Sequence, residues 1–412
     1  MKNRYDVFLA IFLSILVTGA HADAYDTTLA IHGFLSQGYI KSDKNNYLAD
    51  TKEGSFEFNE MGINFQKKAT ENLSLGIQFF SRDLGPTDND AVVVDWAYAD
   101  YHFKDYLGFR AGRIKNPVGL YHETRDVDML RTAILLPEGA YTETIRDVIM
   151  ATNGVSVYGD ILTERMGDLS YKIVVGTTNI RPDGGTALAA AGSYVAVSDT
   201  NIGTNGAGAL WWIDPTGKIK IGGTIGLVSK LDLQGKTREI VPKAVLGLPV
   251  DLPEGIDMEF QIRDILGWIV SAEYTSTFLT LAMEYRRLET SYKGYLHYPD
   301  PPVTFVQEED TKGEGYYALV SHRFSNFFEA GYYYSVLYPD MTDRDGKERI
   351  DHRFRAWKKD QALSLRFDLD ASWIFKLEGH YIDGCAAMHN TMNPDGYHRY
   401  WYLFVTKISY SF

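Results

Sequence analysis

One cysteine, Cys385, stands in a chain of 412 residues. A single thiol forms neither an internal disulfide nor a Cys-x-x-Cys-His haem attachment, so both are excluded and Cys385 reads as an incidental loop residue. Basic charge is also short: 41 Lys and Arg face 54 Asp and Glu, a net charge of -13. That balance disfavours a nucleic-acid partner and suits wet loops or an aqueous lumen. Beyond residue 22 no apolar run reaches the roughly 20 residues of a helical membrane span. Zincin, Walker and Gly-x-Ser-x-Gly motifs are missing and the ten His are scattered, so neither enzyme activity nor a cofactor is expected. Asp343, Asp345, Glu348 and Asp351 offer oxygen ligands. However, Gly346 falls two places early for a calcium hand loop and Arg344, Lys347 and Arg349 interleave, so no metal is expected either.

What is present is alternation. Over residues 402–412, Tyr402, Phe404, Ile408, Tyr410 and Phe412 share one parity, and a period of two places them on one face of a strand. Such a strand needs backbone partners on both edges and an apolar medium on one face. A closed barrel in a bilayer supplies both. Trp401, Leu403 and Val405 are apolar on the opposite parity, so the upper half of this strand is expected to pack on a loop inside the barrel. Aromatics make up 14% of the chain, with 28 Tyr, and such rings favour the membrane-water boundary. At the other end Lys2 and Arg4 precede an apolar run over 7–16, and Ala20-His21-Ala22 forms a small-x-small cleavage site. Residues 1–22 are therefore expected to be a secretory signal peptide, and 23–412 a single barrel domain.

The clearest hairpin pairs Leu363, Leu365, Phe367 and Leu369 with Trp373, Phe375, Leu377 and Tyr381, with charged residues on the other parity. Walking back from it, short links fall near 68–71, 104–105, 161–168, 214–217, 275–277, 325–326 and 370–372. Long ones fall near 43–53, 83–90, 115–150, 180–205, 231–264, 291–313, 339–359 and 384–396. Seven short and eight long links join about 16 strands, the asymmetry of a transmembrane antiparallel β-barrel. A barrel of that width leaves an aqueous channel. The weakest strand assignments are 154–159 and 207–213, where glycine is frequent.

Passage through that channel is the candidate chemistry. The third long link carries Glu123, Asp126, Asp128, Glu138, Glu143 and Asp147 against Lys115, Arg125, Arg131 and Arg146. Folded into the lumen, it would form a narrow charged constriction. Arg110, Lys172, Lys220, Arg286, Arg366 and Lys376 lie on the lumen parity of their strands and would face it, diluted by Glu273, Glu284, Asp368 and Glu378. Two roles stay open for Arg125, Arg131 and Arg146: solute selection, or pairing with Glu123, Asp128 and Asp147 to pin the loop.

The run Gly112-Arg113-Ile114-Lys115-Asn116-Pro117-Val118-Gly119-Leu120 resembles the Gly-Arg-Phe-Lys-x-Pro-Phe element of phosphate-selective and related Gram-negative porins. Ile408, Tyr410 and Phe412 resemble the C-terminal signal read by the barrel-assembly machinery, and the 363–381 hairpin is similar to the penultimate hairpin of such porins. The resemblance implies a 16-stranded, often homotrimeric channel in outer-membrane lipid, with its third loop folded inward as the constriction for small hydrophilic solutes or ions. Phosphate-selective members carry dense Arg and Lys there, whereas this loop is net acidic, which argues against phosphate. The alternative is a non-diffusive barrel acting as a scaffold or as a sheath for a partner protein. A sheath would need a wider barrel.

Overall fold

The computed structural model describes residues 28–412 apart from 87, 164, 242–250, 300–301, 350–351 and 389–391. The signal peptide expected over 1–22 lies outside the described residues. The first half of the chain contributes β1 (Leu29–Ser42), β2 (Asn59–Lys68), β3 (Leu73–Asp83), β4 (Val93–Lys104), β5 (Leu107–Lys115), β6 (Ala151–Ile161), β7 (Asp168–Thr177), β8 (Val195–Ile202) and β9 (Asn205–Ile213). The second contributes β10 (Ile219–Thr237), β11 (Asp257–Thr275), β12 (Leu279–Pro299), β13 (Pro302–Arg323), β14 (Phe328–Tyr338), β15 (Lys358–Asp368), β16 (Trp373–Gly384) and β17 (Tyr400–Ser411).

All neighbours pair antiparallel, and β1 pairs with both β2 and β17. Phe34 sits opposite Ser411 and Ser42 opposite Leu403, while Gly33 and Phe412 exchange backbone hydrogen bonds of 3.1 and 3.0 Å. Because β7 pairs directly with β9, β8 stands outside the ring and pairs with the outer part of β10. The result is a closed 16-strand barrel with one extra strand. No helix among the described residues is long and apolar enough to cross a membrane.

Period-two alternation sorts the wall into two faces. Leu363, Tyr402, Phe404, Ile408 and Phe412 are exposed, whereas Lys358, Ser364, Lys376, Glu378 and Lys407 are buried. In water this would be inverted; around a barrel in lipid it follows from what each face touches. The seven short turns gather at one end, closed by side chains that satisfy the turn's own backbone. Asp214 accepts from the amides of Lys218 and Ile219, both at 2.7 Å, and those bonds, the Ile219 amide foremost, hold its carboxyl at about 2. Asp370 accepts from Ser372 and Trp373 at 2.7 and 2.8 Å in the same way.

Three of the expected long links need correction. Residues 291–313 are largely strand and 231–264 are strand at both ends, because β10 to β13 run 19 to 22 residues, about twice the ~10 needed to cross a bilayer obliquely. Their outer halves keep pairing: in β13 both faces are exposed over 304–310, which leaves no alternation to read, whereas in β10 and β11 the alternation continues with Leu231, Leu233, Met258 and Phe260 in a buried apolar cluster. The 180–205 link likewise contains a short helix, Gly185–Ala191, and β8. The glycine-rich pieces at 154–159 and 207–213 are strands. Gly112, Gly154 and Gly176 pair in one row across β5, β6 and β7. A Cβ on Gly154 would collide with the Val175 carbonyl and come within 2.8 Å of the Gly176 Cα, so close strand approach requires glycine there.

Cys385 also needs correction. It is fully buried in an apolar cluster with Ile40, Tyr47, Ile134, Ile382 and Trp401, and its thiol donates to the His398 carbonyl at 3.1 Å. Burial pushes the thiol up to about 12, and the thiolate is the reactive form. A maleimide reagent at pH 7 is therefore expected to leave the folded protein unlabelled and to label it after denaturation, read by intact mass.

Candidate functional site

Segment 116–150 leaves β5 and returns to β6 through a closed neck. The Asn116 amide donates to the Met150 carbonyl at 3.0 Å. Its side-chain Nδ2 donates to Ile149 O at 2.9 Å, and its Oδ1 accepts the Thr152 hydroxyl at 2.8 Å. Beyond the neck the chain makes only short helical turns, His122–Thr124, Asp128–Leu130 and Arg146–Ile149. Its backbone polar groups must therefore find partners elsewhere.

Many of those partners are on the buried face of the barrel wall. Glu378 on β16 accepts from the amides of Ile134 and Leu135 at 2.7 and 2.9 Å and from the Ser364 hydroxyl at 2.5 Å. Glu284 on β12 accepts from the Leu120 amide at 2.9 Å and from the hydroxyls of Ser271 at 2.5 Å, Tyr317 at 2.9 Å and Tyr141. Ser335 accepts the Gly139 amide at 2.9 Å, and Arg366 donates to the carbonyls of Met129 and Arg131 at 2.6 and 3.2 Å. Apolar contacts seal the seam, because Trp401, Leu403 and Val405 pack with Ile134, Tyr47 and Leu48. Leu136, Ala140 and Tyr141 pack with Ala282 and Tyr317.

The charged residues singled out in the sequence fall into separate groups. Lys115 and Arg146 share Asp126, Arg146 at 2.6 Å, and Lys115 also reaches Asp95 at 3.2 Å. Arg125 and Arg82 share Glu143 at 2.5 and 2.8 Å. Asp128 gathers Lys376 at 3.0 Å, Arg131 at 3.6 Å and the Ser409 hydroxyl at 2.7 Å. Glu123 reaches Lys172 at 2.5 Å. Arg110 lies apart, bound to Asp100 at 2.9 Å between the rings of Tyr98 and Tyr158. Ile408 and Phe412 are exposed on the outer face, with Tyr410 against Trp373 at 4.7 Å. Of the pairings weighed for the three arginines, Arg131 with Asp128 forms, whereas Arg125 and Arg146 take Glu143 and Asp126.

Sequence reasoning passed over Arg82, Glu60, Lys358 and Lys407. Lys407 is bound to Glu60 at 2.5 Å, and Lys358 to Glu138 at 2.5 Å. Each lies on the inward parity of its strand, the one signal that could have found it.

Burial raises a carboxyl, but in three places neighbouring cations win. Lys115 and Arg146 hold Asp126 well below the usual carboxylate range, Lys376 and Lys407 hold Asp128 there, and Arg125 and Arg82 hold Glu143 there. His122, fully buried beside Arg125 and Arg146, is held well below its ordinary value and is neutral. Its Nε2 lies 3.1 Å from Ile149 O, as an N–H donor to that carbonyl. Asp147 is raised by burial, and its Oδ2 has no hydrogen-bond partner.

That orphaned oxygen lines a cavity of about 710 Å³ beside the segment, together with Arg82, Arg113, Arg146 and Arg181 and with Asp88, Asp95 and Glu143. A neighbouring cavity of about 430 Å³ shares Gly184 with it and is walled by Pro86, Asp183, Arg238, Glu239 and Met392 on the long-loop side. Equal numbers of Arg and carboxylate in the larger space give a polarised field across it and no net preference for one sign of charge. The described residues contain no group of three or more His, Cys, Asp or Glu able to hold a metal ion.

No family model and no curated protein matches the chain. Among solved structures it is similar to Salmonella typhi OmpF in complex with daunomycin, at 12% identity over 94% of this chain and 98% of that one, TM-score 0.55. It is similar to the outer-membrane channel DcaP of Acinetobacter baumannii, at 8% identity over 96% and 100%, TM-score 0.54. The anion-selective porin of Comamonas acidovorans matches at 11% identity over 94% and 100%, TM-score 0.52. Likeness at such identities is likeness of fold, and the fold is that of an outer-membrane porin.

Depressed carboxyls contribute fully above the ordinary carboxylate range, about 4, and lose that contribution progressively as pH falls from there through their lower folded-state values. A spin label at exposed Leu130 should therefore keep an immobilised spectrum through about pH 4 and become mobile only well below it. Asp128→Asn should mobilise it already at pH 7, because removing one partner from a buried pair costs about 3–5 kcal/mol.

Proposed function

We propose that this porin-like barrel is an outer-membrane porin through which small hydrophilic solutes or ions diffuse passively, narrowed by segment 116–150 lying inside the lumen. The observation that carries this reading is the set of bonds from that segment to inward residues of β12, β14, β15, β16 and β17. An external loop would not collect partners from so much of the ring. In this reading Lys115, Arg125, Asp126, Asp128, Arg131, Arg366 and Lys376 fix the shape of the constriction. The field a solute meets then comes from the charges around the 710 Å³ cavity, among them Arg82, Arg146 and Arg181 against Asp88, Glu143 and Asp147, a balance that favours polar solutes without choosing one sign of ion.

Export by the signal peptide over 1–22, assembly through Ile408, Tyr410 and Phe412, and a homotrimer belong to the same proposal. Exposed apolar outer-face residues such as Ile225, Leu227 and Val270 suit lipid or subunit contacts. A sheath around a folded partner fits poorly. Apolar packing of loop residues such as Tyr47, Ile134 and Met388 on Ile382, Trp401 and Leu403 occupies interior space that a partner would need.

Purified protein in planar bilayers is expected to give discrete conductance steps in salt; a folded but silent protein would count against the channel. A Cβ on Gly331 would lie 3.3 Å from the Thr132 Cβ, close to the ~3.5–4.5 Å of a disulfide. Thr132→Cys with Gly331→Cys should therefore cross-link on oxidation and conduct as the unmodified protein does. Failure to cross-link would place the segment elsewhere.

A further inference from the structure

A separate cavity of about 110 Å³ lies between segment 116–150 and the walls of β9 to β12. Ile145, Val148 and Ile149 close it from the segment, and Val228, Ile265 and Ile269 from the wall. Gly226 borders it on the inward parity of β10, and a Cβ there would meet nothing within 4 Å.

Arg286 of β12 lines this apolar space. Its Nη1 donates to the Thr142 hydroxyl at 2.9 Å and to Ala140 O at 3.4 Å, but its Nε is buried without an acceptor. It makes no ion pair with any described residue. Glu138, the acid whose charge acts on it, is engaged by Lys358 at 2.5 Å and by Tyr47 at 3.1 Å. Arg110, Lys172, Arg366 and Lys376 each contact a carboxylate; of those that do not, Lys220 lies over the Trp211 ring and Arg113 donates its Nε to the Asp95 carbonyl, so neither leaves its charge facing an apolar space as Arg286 does. Asn205 lines the same space, donates to the Thr152 hydroxyl at 2.9 Å and leaves its Oδ1 without a donor.

An uncompensated guanidinium in apolar surroundings is unfavourable, and a carboxylate is the anion whose planar geometry its donor fork matches. An apolar lining with a few orphaned polar atoms is the usual make-up of a small-molecule site. We propose that this cavity binds a short monocarboxylate with an apolar tail, the carboxylate on Arg286 and the tail among Ile145, Val148 and Ile269. Since a cavity of about 150 Å³ holds benzene, with its six heavy atoms, this smaller one suits an acid of about two or three carbons. Access for the acid rests on the porin reading above; binding does not.

The test uses full-length folded protein in detergent, with propionate as probe and saturation-transfer NMR as readout. Propionate should bind saturably, and inorganic phosphate and succinate should not displace it. Arg286→Gln and Gly226→Val should each weaken binding by about tenfold or more, one by removing the charge and the other by filling the space, while Arg286→Lys keeps part of it. Heat-dependent gel mobility reports whether each variant has formed its barrel. Absent binding, unchanged binding in folded Gly226→Val, or equal displacement by phosphate overturns the site. Conductance on the same samples separates the two readings. Conduction without propionate binding removes the site and leaves the channel, whereas binding in a silent protein removes the channel and leaves the site.

Discussion

Everything in this molecule depends on the pairing of β1 with β17. In hydrocarbon an unpaired amide or carbonyl has no water to turn to, so a sheet that crosses a bilayer must have no edge. The seam from Phe34 opposite Ser411 to Ser42 opposite Leu403 removes the last edge, and the Gly33–Phe412 backbone bonds finish it at the chain's final residue. Once the ring is closed, its outer face can be apolar and its inner face charged. The strand parity then dictates which residues meet the lumen.

The inner face sets a second constraint, since a buried charge must be paired. Segment 116–150 and the wall solve this jointly: Asp128 needs Lys376, Glu143 needs Arg82, and Glu378 needs the amides of Ile134 and Leu135. Neither partner surface would be stable alone. The position of the segment therefore follows from many separate bonds more than from any one residue. Arg286 is an exception among the wall cations, and its lack of a carboxylate is what makes the apolar space beside it chemically distinct.

Much of the fold was legible in the sequence because lipid imposes a strict period of two. The hairpin at 363–381, the final strand ending at Phe412 and the seven tight turns all stood out for that reason. Legibility stopped at the membrane boundary. Above it, β10 to β13 continue as strands, but the apolar residues of β10 and β11 turn to a buried cluster instead of to lipid and both faces of β13 are exposed over 304–310, so the lipid pattern no longer marks them and they read as loops. The pairing of Arg125 with Glu143 was equally hidden, since 18 residues of irregular chain separate the two and nothing in the spacing favours Glu143 over Glu123.

By itself, then, the sequence determined the barrel, its approximate strand number and which parity faces water, since these follow from local alternation and turn chemistry. The tertiary structure alone decided which acid meets which base, that Cys385 is shielded, and that Arg286 has no carboxylate. Those properties depend on residues far apart along the chain, brought together only when the closed wall and the segment beside it pack. Local periodicity carries no information about that packing.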